Sequence, residues 1–374
     1  MERKNCIITN DFKRENLFTI KNFPVFMGCT SEPEEKDVKA DMEWDIYKES
    51  GVIQLRKPLP LSVVYSEFHN SGAIGNIWEE HHKNFAEFIS KYSFTNVFEI
   101  GGGHGRLSTY YNSLIEAEWT ILEPNPSPIK GVKAKFIKGF FDHNFTDPNR
   151  YDVIIHSHVF EHIYDPTKFV ERLSSYMKIG QKLIFSIPNI QEMIKRNYTN
   201  ALNFEHTFLL NEGVVEFLMN KYGFNFIEKK YFKDDHSIFF TFELKSKINQ
   251  NINFKNQYNN NRKIFKKFIK NQISIVNEIN KSIFLSDEPV FLFGAHIFSQ
   301  YLIANGLSTT NIICVIDNDI TKQDKRLYGT KLFVKSPNIL SKHSKPIVIL
   351  RAGIYNDEIK NDILKNINRD AIFI

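Results

Sequence analysis

Residues 97 to 105 read VFEIGGGHG, an apolar run that breaks into four glycines within five positions before a helical pattern starts at Leu107. A strand that ends this way and turns into a helix belongs where backbone must approach a ligand more closely than side chains permit. Two ligands fit that description. A dinucleotide fingerprint counted from Gly101 needs glycine where Arg106 stands, and counted from Gly103 it meets Ser108. Glu99 followed by Gly101, Gly103 and Gly105 satisfies a G-x-G-x-G run without mismatch, and that pattern points to S-adenosylmethionine.

Strand-like and helical runs alternate around this corner. TNVFEI, EWTILE, AKFIKG, YDVIIHS, QKLIFSI and FFTFEL are separated by segments such as RLSTYYNSLIEA and TKFVERLSSYMK. The alternation predicts an α/β unit with a mostly parallel, doubly wound sheet. Ligands of such sheets lie beyond the carboxyl ends of the strands, so cofactor contacts are expected just after each one. Glu123, ending the second strand, is placed to accept from a ribose diol. After the third, Phe141 could flank an adenine ring and Asp142 could accept from its exocyclic amine. The fourth runs into HSHVFEHIYDP, which would lie across the sulfonium with His158 as a cofactor contact.

At 374 residues the chain has room for two or three domains. Cys6, Cys29 and Cys314 give no disulfide framework, which favours a reducing compartment, cytoplasmic by default. There is no secretory apolar segment and no uncharged apolar window of about 18 residues, so no membrane span is expected. The net charge of +5 is local: from Lys245 to Leu285 there are nine basic residues and one acidic, which leaves the remainder slightly acidic. Nucleic acid is therefore not an expected partner. In that stretch Ile264, Phe265, Phe268, Ile269, Ile275, Val276 and Ile279 recur at helical spacing. The preceding SKINQNINFKNQYNNNRK reads as a linker. Four regions result: an N-terminal piece over 1–70, the central unit over 71–245, a basic linker and helix over 246–285, and a C-terminal α/β unit over 286–374. The last opens with PVFLFGAHIFSQYL and IICVIDND, a strand, a turn with the single glycine Gly294, a helix, and a second strand ending at Asp317. That order is Rossmann-like but too poor in glycine for a cofactor claim.

VFEIGGGHG, HSHVFEHI and NFEHTFLL, with VFLFGA, VIDND, YGTKLFVKSP and ILRAGIYNDEI near the end, resemble the class I S-adenosylmethionine-dependent methyltransferases. Within them the resemblance is to sugar C-methyltransferases of the NDP-hexose 3-C-methyltransferase type. It implies an N-terminal zinc-binding module, a central Rossmann-like methyltransferase domain, and a C-terminal Rossmann-like domain that helps form the substrate site. Where that zinc module carries paired C-x-x-C knuckles, this chain has Cys6-Ile7-Ile8-Thr9 and Tyr47 to Gly51. With three of four thiolates missing, the module is degenerate and no metal is expected. Phe23, Phe26, Met27, Met42, Trp44 and Ile53 are left to form its core.

The family's Tyr-x-Glu-His motif stands here as Asn203, Phe204, Glu205 and His206. Glu205 and His206 carry over and the phenol does not, a departure that bears on C-methylation more than on methyl transfer. The resemblance makes His206 the first candidate for general base, with Glu205 orienting it or binding sugar hydroxyls. His206 read alone fits equally as a residue capping the helix over 211–221. His162, in the loop after the fourth strand, is second. Tyr65 lies in VVYSEFHNSGAIGNIWEEHH with His69, Trp78, His81 and His82, a stretch that caps the active site in the family, and could replace the missing phenol. Asn203 and Arg351 are the expected substrate contacts, the latter as a bidentate donor to a nucleotide diphosphate. The activity expected is methyl transfer to a sugar, a nucleotide-activated and possibly 4-keto one of the kind used in polysaccharide biosynthesis. Carbon is slightly favoured over oxygen. A sugar O-methyltransferase with the same pocket and a silent cofactor-fold binding module are the alternatives.

Overall fold

The computed structural model describes residues 2–64, 75–147 and 149–374. Tyr65 and His69 lie outside them. The chain opens with β1 (Arg14–Pro24), the two-residue β2 (Cys29–Thr30), β3 (Lys39–Tyr47) and β4 (Ile53–Leu55). Antiparallel pairing orders three of these β1-β3-β4. Phe23, Met42, Trp44 and Ile53 are buried in this module as expected, with Phe26 and Met27 half-buried at its margin. Cys6 packs its thiol 3.7 Å from the Ser50 hydroxyl. A single turn, α1 (Leu61–Val64), follows.

The central unit runs α2 (Asn76–Ser90), β5 (Asn96–Ile100), α3 (Arg106–Asn112), β6 (Glu118–Glu123), β7 (Lys135–Lys138), β8 (Val153–Ser157), α4 (Pro166–Tyr176) and β9 (Lys182–Pro188). It continues through α5 (Ile190–Lys195), α6 (Glu212–Lys221), β10 (Phe224–Phe232), α7 (Lys233–His236) and β11 (Ser237–Leu244). Seven strands form one sheet in the order β10-β11-β9-β8-β5-β6-β7, and only β11 runs against the rest. The middle strands read as unbroken apolar runs because helices cover both faces of the sheet. The strand missing from the sequence reading is β10, at the edge. Phe226, Ile227 and Tyr231 are exposed there, so neither alternation nor a continuous apolar run marks it.

Beyond the sheet, α8 (Tyr258–Phe284) buries Phe265, Phe268, Val276 and Ile279, the stripe read from the sequence. Its lead-in departs from the linker expectation, because the asparagine-rich segment is docked. Gln257 donates its backbone N–H to the Ser50 carbonyl, and the Asn256 and Asn261 side chains donate to the Lys48 and Gly51 carbonyls. Glu15 of β1 accepts from Tyr258, Arg262 and Lys266 of α8. The chain ends with β12 (Val290–Phe293), α9 (Ile297–Ala304), β13 (Ile312–Ile316), β14 (Arg326–Leu327), β15 (Val334–Lys335), β16 (Ile347–Leu350), α10 (Asn356–Asn366) and β17 (Ile372–Phe373). A parallel sheet in the order β15-β13-β12-β16-β17 makes this second Rossmann-like unit, while β14 leaves it to pair with β2. Among the described residues no helix is long and apolar enough to cross a membrane.

Candidate functional site

The glycine bend joins β5 to α3 at the carboxyl end of the central sheet. Gly101 has φ +76°, and a Cβ there would lie 2.5 Å from a Val159 methyl. At Gly102 a Cβ would meet the Glu99 carboxyl at 2.7 Å, so this glycine, absent from both fingerprints, is required by packing. Gly103 and Gly105 also adopt positive φ. Glu123, at the end of β6, accepts from the Gly103 N–H at 3.2 Å and from the Asn125 N–H at 3.0 Å. The bare backbone of the bend and the neighbouring carboxylate together make a cradle that fits a ribose and its attached chain.

Other expected cofactor contacts are placed differently. Glu99 is buried beneath the bend, where it accepts from the Trp119 indole N–H at 2.8 Å. Burial pushes its carboxyl up to about 7, with nearby Glu123 adding and Trp119 opposing. It braces the turn from below. Phe141 packs among Phe98, Phe145, Phe169 and Tyr176 with the Arg172 guanidinium over its ring, so it is a core contact. The aromatic that stands open is its neighbour Phe140, 56% exposed, which the sequence reading passed over. Asp142 is exposed and accepts from the Asn144 N–H. His158 has φ +53°, and its Nε2 lies 2.9 Å from the Ser237 hydroxyl. Reaching across β9 to β11, the ring packs against Trp78 and His81 of α2, on the face of the sheet that α2 shares with α3.

Two loops meet at the same end of the sheet. From the loop after β8, His162 lies with Nε2 3.7 Å from Glu161 and Nδ1 3.7 Å from Glu205. Its ring is 5.1 Å from that of His206. The His206 Nδ1 donates to the Ala201 carbonyl at 3.0 Å, since a carbonyl can only accept, and the Nε2 lone pair is left for a proton. Burial and the neighbouring His162 lower this imidazole to about 4, against the pull of Glu161, the Ala201 carbonyl and Glu205. It is therefore neutral at physiological pH. Glu161 is buried completely. Burial would raise its carboxyl, but His158, His162 and His206 around it hold it well below the usual range.

Asn203 is not open to a substrate. Its Oδ1 accepts from the Glu205 and His206 backbone N–H groups, and its Nδ2 donates to the Asn200 carbonyl. The residue standing where the family has a phenol thus shapes the Glu205–His206 turn, a role its own preference for side-chain-to-backbone bonding explains. Nor does a capping role fall to His206, because Asn211 caps α6 by accepting from the Val214 N–H. Arg351, just after β16, is exposed, with no hydrogen bond to a described residue. The loop that follows it does reach the central unit: Gly353 packs on the Tyr198 ring, and Glu358 accepts from the Asn76 amide at the start of α2.

A residue the sequence reading missed is His236. It joins Trp78, His81, His82 and His158 in a largely buried group whose members come from three segments, α2, the loop after β8 and α7, so no spacing signals it. Burial lowers His81 well below the ordinary imidazole value, His82 to about 4 and His236 to about 3.

Residues 76–229 match the sequence profile of a family described as Methyltransferase domain. No curated protein matches the chain. Similar solved structures include the N-methyltransferase NodS from Bradyrhizobium japonicum, 13% identical over 46% of this chain and 97% of that one, at a TM-score of 0.35. A S-adenosylmethionine-dependent methyltransferase from Clostridium acetobutylicum is 13% identical over 45% and 92%, at 0.35. The mitomycin 7-O-methyltransferase MmcR is 16% identical over 44% and 54%, at 0.36. The central unit thus carries the match to a methyltransferase domain over residues 76–229, on the seven-stranded Rossmann-like sheet described above.

Proposed function

We propose that the chain methylates a sugar, a nucleotide-activated 4-keto sugar above others, using His206 as general base. The reading is supported by the convergence of the Glu205–His206 turn and the Glu161–His162 loop at the carboxyl end of β8, beside the glycine bend. S-adenosylmethionine, held by the bend and Glu123, supplies an electrophilic methyl group on sulfur. The protein must align the acceptor with that methyl, and positioning provides much of the rate. For a carbon acceptor, a neighbouring ketone acidifies the C–H bond. His206 Nε2 takes that proton while a donor stabilises the enolate oxygen, a task open to the His162 ring. Glu205 then orients His162 or accepts from sugar hydroxyls. Arg351 receives the diphosphate. The N-terminal sheet, with Cys6 against Ser50, reads as a zinc module that has lost its thiolates.

Asn203 favours a second reading, transfer to oxygen. With its amide taken up by the turn, no phenol or substitute stands at that position to meet an enolate. Incubation with S-adenosylmethionine and nucleotide sugars, with and without a 4-keto group, separates the two. Product mass and carbon NMR are expected to show a new carbon–carbon bond on the keto sugar alone. Methyl ether products would establish oxygen transfer, and no product from any sugar would overturn the acceptor class. The His206→Gln variant is expected to lose roughly 10²–10⁴ in kcat with cofactor affinity unchanged. Because the lowered His206 stays unprotonated down to about 4, the wild-type rate should be level between about pH 6 and 8 with no break near 6.5.

A further inference from the structure

Three histidines that no sequence motif connects meet on the face of the sheet covered by α2 and α3: His81 of α2, His158 after β8, and His236 at the end of α7. Each offers a ring nitrogen within 4.8 Å of one from the other two. Their ring centroids lie 5.2, 5.4 and 6.0 Å apart. His81 is fully buried, and neither of its nitrogens has a hydrogen-bond partner among the described residues. Trp78 closes the group with its ring edge-on to both His158 and His236 at 4.9 Å, and Phe232 and Phe239 flank His81. Aromatic packing alone would be served better by phenylalanine, which buries no unpaired nitrogen.

Around the histidines stand the supports that a metal site uses. The His158 Nδ1 is 3.3 Å from the buried Glu161 carboxylate, the carboxylate–histidine relation that orients imidazole ligands. The Ser237 hydroxyl lies 2.6 Å from His236 Nδ1 and 2.9 Å from His158 Nε2, and an ion bound at that Nε2 would displace it from His158. We infer that His81, His158 and His236 bind one divalent transition ion of the zinc type, with a fourth position left to water or an exogenous ligand. Three neutral nitrogen donors suit zinc, cobalt or nickel, and they do not suit magnesium or calcium. Tetrahedral Zn–N bonds set the donor nitrogens about 3.4 Å apart, so ligation asks each ring to close inward by about an ångström. The ion ties α2 to the loop after β8 and to the start of β11. The other group of potential ligands, Glu161, His162 and His206, belongs to the catalytic loops and adjoins this one through the Glu161–His158 contact. The inferred ion runs against the expectation from sequence, which weighed only the cysteine positions.

The test uses the full chain with no histidine tag, dialysed against a weak chelator and assayed for metal by plasma emission. About one equivalent of zinc is expected. Exchange with cobalt(II) should give the visible absorption of a four-coordinate site. His81→Leu and His236→Gln should each lower retention roughly tenfold or more, and His206→Gln should leave it unchanged. Thermal unfolding of the wild type should shift upward on adding zinc, a readout that stands even where His81→Leu does not fold. The inference is overturned by retention below about a tenth of an equivalent with no cobalt spectrum and no thermal shift. It is overturned equally if the ion leaves with His206→Gln and stays with His236→Gln.

Discussion

The chain contains the same corner twice, and the two copies have been put to different uses. In the central unit β5 turns through glycines at 101, 102, 103 and 105 into α3, and the acid at the end of the next strand is Glu123. In the C-terminal unit β12 turns through Gly294 into α9, and the corresponding acid is Asp317. Glu123 accepts only backbone N–H groups, and among the described residues no cation forms an ion pair with it. Asp317 accepts from the buried Ala295 N–H at 2.8 Å and holds the Lys322 ammonium at 3.4 Å, so its charge is answered from within the chain. At the second corner a methyl side chain, Ala295, already occupies space that the first keeps bare. One turn keeps a carboxylate that no cation among the described residues pairs with, and the other answers its own.

This contrast can be broken by exchange. The largest effect is expected from Gly101→Val, whose side chain would enter the Val159 methyl at a backbone angle L-residues rarely adopt. Affinity for S-adenosylhomocysteine by calorimetry should fall roughly a hundredfold or more, while circular dichroism stays native. Glu123→Ala comes next, at roughly 10- to 100-fold weaker binding, the measure of a lost charged hydrogen bond to a hydroxyl. Asp317→Asn should leave that affinity within about twofold and lower Tm by roughly 2–4 °C, since it removes about 1 kcal/mol of internal bonding. If Asp317→Asn weakened cofactor binding as much as Glu123→Ala, the division of labour would be refuted.

The smallest effect concerns Glu99 below the bend. Its folded-state value near 7 lies above that of an unfolded glutamate, so the folded protein keeps a proton that the unfolded chain has released. Stability from this group therefore declines as pH rises from about 4.5 to about 7 and is level above that. Glu99→Gln, which can still accept from Trp119, should match the wild type in Tm near pH 4.5 and exceed it by about 2 °C at pH 8.

The legible parts of the fold were those where local pattern and long-range packing agree. The apolar strands β5, β8 and β9 and the stripe on α8 are examples, because burial on both faces or along one stripe leaves a period in the sequence. The edge strand β10 leaves none. At the site, the bend and Glu123 were readable because their roles fix residue type at short spacing. Phe140 and Phe141 differ by one position, and which of them faces outward depends on the aromatic cluster under Phe141, a tertiary fact. His158 was singled out from its place after β8, but its partners Ser237, Glu161 and His81 come from other segments that only the folded chain brings to it. Asn203 was read as a substrate group because of the motif it interrupts, while its chemistry as a backbone-bonding amide gave the better guide.

One tie described above governs the order in which the molecule can be completed. Strand β2 pairs only with β14, and Asp37 is clamped by Arg326 across a separation of 289 residues. During synthesis the module formed by β1 to β4 must wait, with the partner of β2 missing and a carboxylate unanswered, until residues 326 and 327 have left the ribosome. Closing so long a loop is slow relative to forming the helices and hairpins between. This stitch therefore joins an early-made segment to one made nearly three hundred residues later, and a nascent chain released before residue 326 would carry an open seam.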